Sequence, residues 1–158
     1  MEALLQGLAI AGVLGAGAMG GTFYAFSSFV LPALGQLPSE RGAAAMQTIN
    51  VVVLRPSFLG VFVGTALLSL VSLALAAWRW GTPGTGPLAA GAGLYLLGTF
   101  AVTAAGNVPL NDALAEVEPE SDEGRRVWSD YLTRWARWNH LRSAAALAAT
   151  VCFAFATG

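Results

Sequence analysis

Residues 3–39 carry no charged side chain. Water offers few folds to such a run. A bilayer offers a simple one, since about 20 mostly apolar residues cross its hydrocarbon core as a helix. Composition points the same way. Apolar residues make up 56% of the 158-residue chain and charged residues 11%. A typical soluble domain carries about 25% charged residues. Nine acids and eight arginines, with no lysine, cannot coat a soluble fold of this length. The length suits a single membrane domain, residues 1–158. A net charge of −1 gives no basic footprint for nucleic acid. Met1-Glu2 lacks a basic leader, and the apolar run behind it is too long for a signal peptide. Cys152, the lone cysteine, sits in an apolar run and reads as a small hydrophobe.

The chain divides into spans at its prolines and charges. The first span is expected over residues 4–26, with Pro32 and Pro38 closing the region. Gly12, Ala16 and Gly20 fall four apart on one face, which lets another helix backbone approach closely. That face suits packing within the bundle, or a homo-oligomer seam. Ser39 then opens a helical pattern that runs to Trp78. Forty helical residues would extend about 60 Å, twice the hydrocarbon thickness of about 30 Å. The pattern must therefore break, and Arg55-Pro56 is the place, because proline removes a helical hydrogen bond. Residues 39–54 become an interfacial helix and 56–78 the second span. Trp78-Arg79-Trp80 marks a membrane interface. The third span covers 88–106, with Pro109 disturbing its end, and 113–126 form a charged loop. A long fourth helix starts near Ser121; its polar first half projects from the membrane and residues 136–156 make the fourth span. The predicted fold is all-α, an integral membrane four-helix bundle in the lipid bilayer. Arg41, Arg125 and Arg126 on one side against Arg79 on the other place the polar face in the cytoplasm, with the plasma membrane as the expected location.

An up-and-down bundle brings the unusual polar residues to one end. These are Gln47, Asn50 and Arg55, then Asn107, Asn111 and Asp112, then Trp135, Asn139, His140 and Arg142. Asn107 and Asn111 share a helical face, as do Trp135, Asn139 and Arg142. Polar groups near hydrocarbon tend to face a bundle interior or a cavity. Each has a plainer reading as a helix cap, as interhelical glue, or as a snorkelling arginine. With one histidine and one cysteine, twelve residues apart on one helix, a single chain offers no histidine-rich metal site and no pair of axial haem ligands, and a single-histidine site completed by Asp112 or Asp130 stays open. No dinucleotide fingerprint, phosphate loop or nucleophile elbow is present. A ligand here would be small, partly apolar, and held by amides, aromatic rings and a guanidinium.

Three elements occur in order along the chain: Met46-Gln47-x-Ile49-Asn50, Gly106-Asn107-Val108-Pro109-Leu110-Asn111, and Trp135-x-x-Trp138-Asn139-His140-x-Arg142. Together with the four hydrophobic stretches they resemble the anthrone oxygenase-like family, small membrane proteins mostly of unknown function. The resemblance covers nearly the whole chain, and its more specific parts are Asn-x-Pro-x-Asn and Trp-Asn-His-x-Arg. It implies a four-helix membrane protein. In a few fungal and bacterial members it implies oxidation of an anthrone to an anthraquinone by molecular oxygen, with no cofactor established.

Two functions remain open on the sequence. The first is a cofactor-independent oxygenase with O2 as co-substrate and a small aromatic, polyketide-type substrate. Histidine suits proton transfer near neutral pH, so His140 is the candidate base. Asn107, Asn139 and Arg142 would stabilise an enolate oxygen. Gln47, Asn50, Asn111, Asp112, Trp135 and Trp138 would line the substrate. The second is a non-enzymatic membrane protein that binds a lipophilic small molecule or quinone, or braces a larger complex.

Overall fold

The computed structural model describes residues 2–158. It is all-α. Among the described residues there are five helices: α1 (Glu2–Gly35), α2 (Ser39–Val52), α3 (Pro56–Trp78), α4 (Thr85–Ala115) and α5 (Asp122–Phe155). Three of them, α1, α3 and α4, are long and apolar enough to cross a membrane. Their outward side chains are apolar, with Leu14, Leu67, Val71 and Leu97 all exposed. Ser69, Ser72, Thr65 and Thr99 lie inside. This inversion of the soluble pattern suits lipid as the solvent. The helix α5 is not among the three, because Asn139, His140 and Arg142 interrupt the segment expected to form the fourth crossing.

Four helices pack in a ring, with α1 between α3 and α5, and α4 between α3 and α5 on the other side. The most extensive pairing joins α1 to α5. It uses the small-residue face of α1: a Cβ added at Gly12 would lie 2.7 Å from the Phe153 ring, and one at Gly20 would lie 2.8 Å from Leu147. The glycine face is thus packed within the chain. One core, including Ala16, Phe23, Phe62, Tyr95 and Phe153, fills the ring. A second core, of Leu31, Ala43, Met46, Leu114, Trp128, Tyr131 and Trp135, fills the polar end. There α2 packs between the C-terminal ends of α1 and α4 and the first half of α5.

The structure corrects two boundaries. Pro32 does not close the first helix, which continues to Gly35. Pro109 does not end the third, which continues to Ala115, so the charged loop expected over 113–126 is confined to residues 116–121. One device explains both. A proline ring clashes with the carbonyl four residues back. In each case a π turn precedes it, Phe26–Val30 before Pro32 and Thr103–Asn107 before Pro109. Leu31 N–H donates to the Phe26 carbonyl and Val108 N–H to the Thr103 carbonyl, five residues back in each case. The extra residue lets the helix run on past the proline. The break at Arg55-Pro56 and the start of α5 agree with expectation. Ser121 caps α5, its Oγ accepting from Gly124 N–H at 2.8 Å.

Replacing Gly20 with leucine is expected to destabilise the protein by about 1–3 kcal/mol, the usual cost of overpacking. Gly7→Ala, whose added Cβ meets nothing within 4 Å, is expected to keep or slightly raise stability, since alanine is the better helix former. Thermal unfolding of both variants in detergent checks the pair.

Candidate functional site

Asn107, Asn111, Trp135, Asn139, His140 and Arg142 lie at one end of the bundle, on two sides of α5. The face carrying Trp135, Asn139 and Arg142 turns inward, and all three are buried. The Arg142 guanidinium has no carboxylate partner. The only ion pairs among the described residues are Arg125 with Asp122 and Arg134 with Asp130, both on the surface. The guanidinium carbon instead lies 4.0 Å from the centroid of the Phe23 ring and 5.1 Å from that of Trp135. Such cation–π contacts are worth about 2 kcal/mol when desolvated. Its Nε donates to Asn139 Oδ1 at 3.0 Å and its Nη1 to Thr103 Oγ1 at 3.2 Å.

Asn139 ties α5 to α1. Its Nδ2 donates to the Phe23 carbonyl and to Ser27 Oγ, each at 2.8 Å. Both amide hydrogens are thereby used. Ser27 Oγ also lies 2.9 Å from His140 Nδ1. His140 itself is exposed. It borders an outer groove of about 330 Å³ between α1 and α5, whose walls include Ser27, Leu31, Pro32, Leu132, Ala136 and Asn139. The structure therefore does not place His140 and Arg142 in one cavity. They are two residues apart on a helix, which turns them to different sides. A chain of hydrogen bonds, Arg142 to Asn139 to Ser27 to His140, connects them.

The asparagines of α4 meet α5 on the inner side, as their shared face predicts. Asn107 Nδ2 donates to the Trp135 carbonyl at 3.2 Å, and its buried Oδ1 has no protein partner. Asn111 Oδ1 accepts from Tyr131 Oη and from Trp135 Nε1, both at 2.8 Å. Those rings belong to a ladder in which Trp128, Tyr131 and Trp135 stack at 5.7 Å intervals. Burial pushes the Tyr131 phenol above its ordinary range, against the smaller pulls of Asn50 and the Arg142 charge. It stays a neutral donor to Asn111.

The remaining expected residues fall outside the Arg142 cluster or serve structure. Gln47 Nε2 donates to the carbonyls of Leu114 and Val117 at 2.7 and 3.0 Å, closing the C-terminal end of α4. Asn50 is half-buried, with no partner at Nδ2. Asp112 is exposed. Trp138 is 40% exposed and covers Gly106, where an added Cβ would stand 2.5 Å from its ring. Ser27, Phe23 and Thr103 were not anticipated. A serine pair at 27 and 28 within an otherwise apolar stretch was the available signal for Ser27.

The anthrone oxygenase family model matches residues 57–152, more than half of the chain. The chain belongs to the anthrone oxygenase family. The match takes in the Asn107–Asn111 and Trp135–Arg142 elements and leaves out Ser27 and all of α1 and α2. Comparison with curated proteins and with solved structures finds no match.

Within this family member, Asn111→Ala is expected to strand the buried Tyr131 hydroxyl and Trp135 indole N–H. An unpaired buried donor costs about 1–3 kcal/mol, so its melting temperature should fall clearly. Asp112→Ala, at an exposed neighbour, should change stability by less than about 0.5 kcal/mol. Thermal unfolding followed by tryptophan fluorescence compares the two.

Proposed function

We propose that this anthrone oxygenase family member oxidises a flat, lipophilic carbon acid of the aromatic polyketide type with molecular oxygen, drawing on no metal or organic cofactor. The chemistry balances without an external reductant. An activated methylene loses one proton to a base and becomes a carbanion, delocalised as an enolate. The carbanion passes one electron to O2, and the radical pair joins to form a carbon–oxygen bond. The resulting peroxide loses water and leaves a carbonyl. One oxygen atom stays on carbon, and the other departs in water with the two methylene hydrogens.

The observation that carries the reading is the place of His140. It is the chain's single histidine, it borders a groove of about 330 Å³, and it is hydrogen-bonded into a buried polar chain. The groove is shallow and open on its outer side, so it would hold a flat ligand against one face. Leu31, Pro32, Leu132 and Ala136 supply apolar walls. His140 is the base. Asn107 and Arg142 stand behind the groove, where they hold α5 and Asn139 and do not meet the substrate. Trp135 likewise serves the core, and Trp138 covers Gly106. The polar end faces the cytoplasm, on the arginine bias between the two ends of the bundle, and the final segment of α5 completes a fourth crossing.

His140→Ala should lower turnover by about 10²- to 10⁴-fold, the range a positioned base supplies, with the fold retained. Oxygen uptake by purified protein given an anthrone, scored against the product quinone, checks this. Unchanged turnover in the variant would remove His140 from the role. No uptake by the wild-type chain with any anthrone would favour a membrane protein that binds lipophilic molecules without reacting.

A further inference from the structure

The orientation of the Asn139 amide follows from partners that permit one assignment. Arginine only donates, so the Asn139 atom 3.0 Å from Arg142 Nε is the amide oxygen. A backbone carbonyl only accepts, so the Asn139 atom 2.8 Å from the Phe23 carbonyl is the amide nitrogen. The second hydrogen of that nitrogen then goes to Ser27 Oγ, 2.8 Å away. Ser27 therefore accepts from Asn139. Its own hydroxyl hydrogen has one acceptor within reach among the described residues, His140 Nδ1 at 2.9 Å. A neutral imidazole nitrogen that accepts a hydrogen bond carries no proton. With the Ser27 hydroxyl donating to Nδ1, neutral His140 would hold its proton on Nε2.

We infer that Ser27 is a catalytic residue of the groove: its hydroxyl fixes His140 as the Nε2–H tautomer and is the atom through which His140 takes the substrate proton. The first half rests on geometry alone, and the second on the oxygenase reading above. Ser27 and His140 both line the groove. In the proton step the substrate C–H bond breaks and its proton joins the free lone pair of Ser27 Oγ. The former hydroxyl hydrogen of Ser27 moves to Nδ1. An imidazolium and a carbanion result, with one proton received, one passed on and no electrons lost from the pair. Asn139, held by Arg142 and by the Phe23 carbonyl, keeps a donor on Ser27 Oγ and so aims its hydroxyl at Nδ1. Arg142 is a positioning residue in this scheme.

Because the chain has a single histidine, tag-free protein labelled with 15N-histidine reports His140 alone. The spectrum is read in nanodiscs, without substrate, at a pH well above the ordinary imidazole pKa of about 6.5. The expected result is an unprotonated-type shift at Nδ1 and a protonated-type shift at Nε2. In Ser27→Ala both shifts should move toward the average of the two tautomers, and in Ser27→Thr they should stay near wild type. A protonated or averaged Nδ1 in the wild-type protein would overturn the assignment, as would an unmoved spectrum in Ser27→Ala. Turnover of an anthrone should fall by about 10²-fold or more in Ser27→Ala and largely recover in Ser27→Thr. Full turnover in Ser27→Ala would overturn the catalytic half. A wild-type chain without turnover would defeat the oxygenase reading, while the tautomer assignment would still be decided by the spectrum.

Discussion

A guanidinium taken out of water must be solvated by the protein itself, or it costs several kcal/mol. Arg142 is 7% exposed and has no carboxylate to pair with. The groups that replace water come from three helices: the Phe23 ring from α1, the Thr103 hydroxyl from α4, and the Trp135 ring and Asn139 oxygen from α5 itself. Each of the three helices supplies part of that shell. The polar end of the bundle is therefore tied together through one side chain. Its neighbours are also the residues that lead outward to the groove.

The close approach of α1 and α5 makes that arrangement reachable. Asn139 bonds to the backbone carbonyl of Phe23 at 2.8 Å, which requires the two helices to lie nearly in backbone contact. Gly12 and Gly20 provide the room, with Phe153 and Leu147 filling the space a side chain would take. Small residues at one helix face and a hydrogen bond at its end thus belong to one contact. Interhelical hydrogen bonds in membranes are individually weak, averaging about 0.6 kcal/mol. They set register here, while the packed glycine face supplies the proximity.

How much of this was legible in the sequence depended on the kind of signal. The all-α class, the break at Arg55-Pro56 and the cap at Ser121 follow from local chemistry and appear as expected. The shared faces of Asn107 with Asn111, and of Trp135 with Asn139 and Arg142, were readable from spacing alone. The roles were less readable. His140 stands beside Asn139 in sequence, yet the helix turns it to the outer side and leaves Arg142 within. Trp135 has the composition of a substrate platform but is locked between Tyr131 and Phe26 in an aromatic core. Ser27 became visible only when α1 was laid against α5, a contact between residues 112 and 113 positions apart. Pro32 and Pro109 misled for a local reason, since proline reads as a stop unless a π turn precedes it.

Those π turns have a further effect on how the chain can vary. Each inserts one residue into the helical count, and one residue is about 100° of rotation at 3.6 residues per turn. The stretch of α1 before Phe26–Val30 is phased to the glycine contact, and the stretch after it, with Leu31, is phased to the second core. A single helix thus carries two independent reading frames. Sequence drift on the membrane side can proceed under the constraints of close packing, while the groove side answers to a different set of neighbours. A deletion inside Phe26–Val30 would be felt as a change of phase across every later position of the helix, and a substitution there as a change at one.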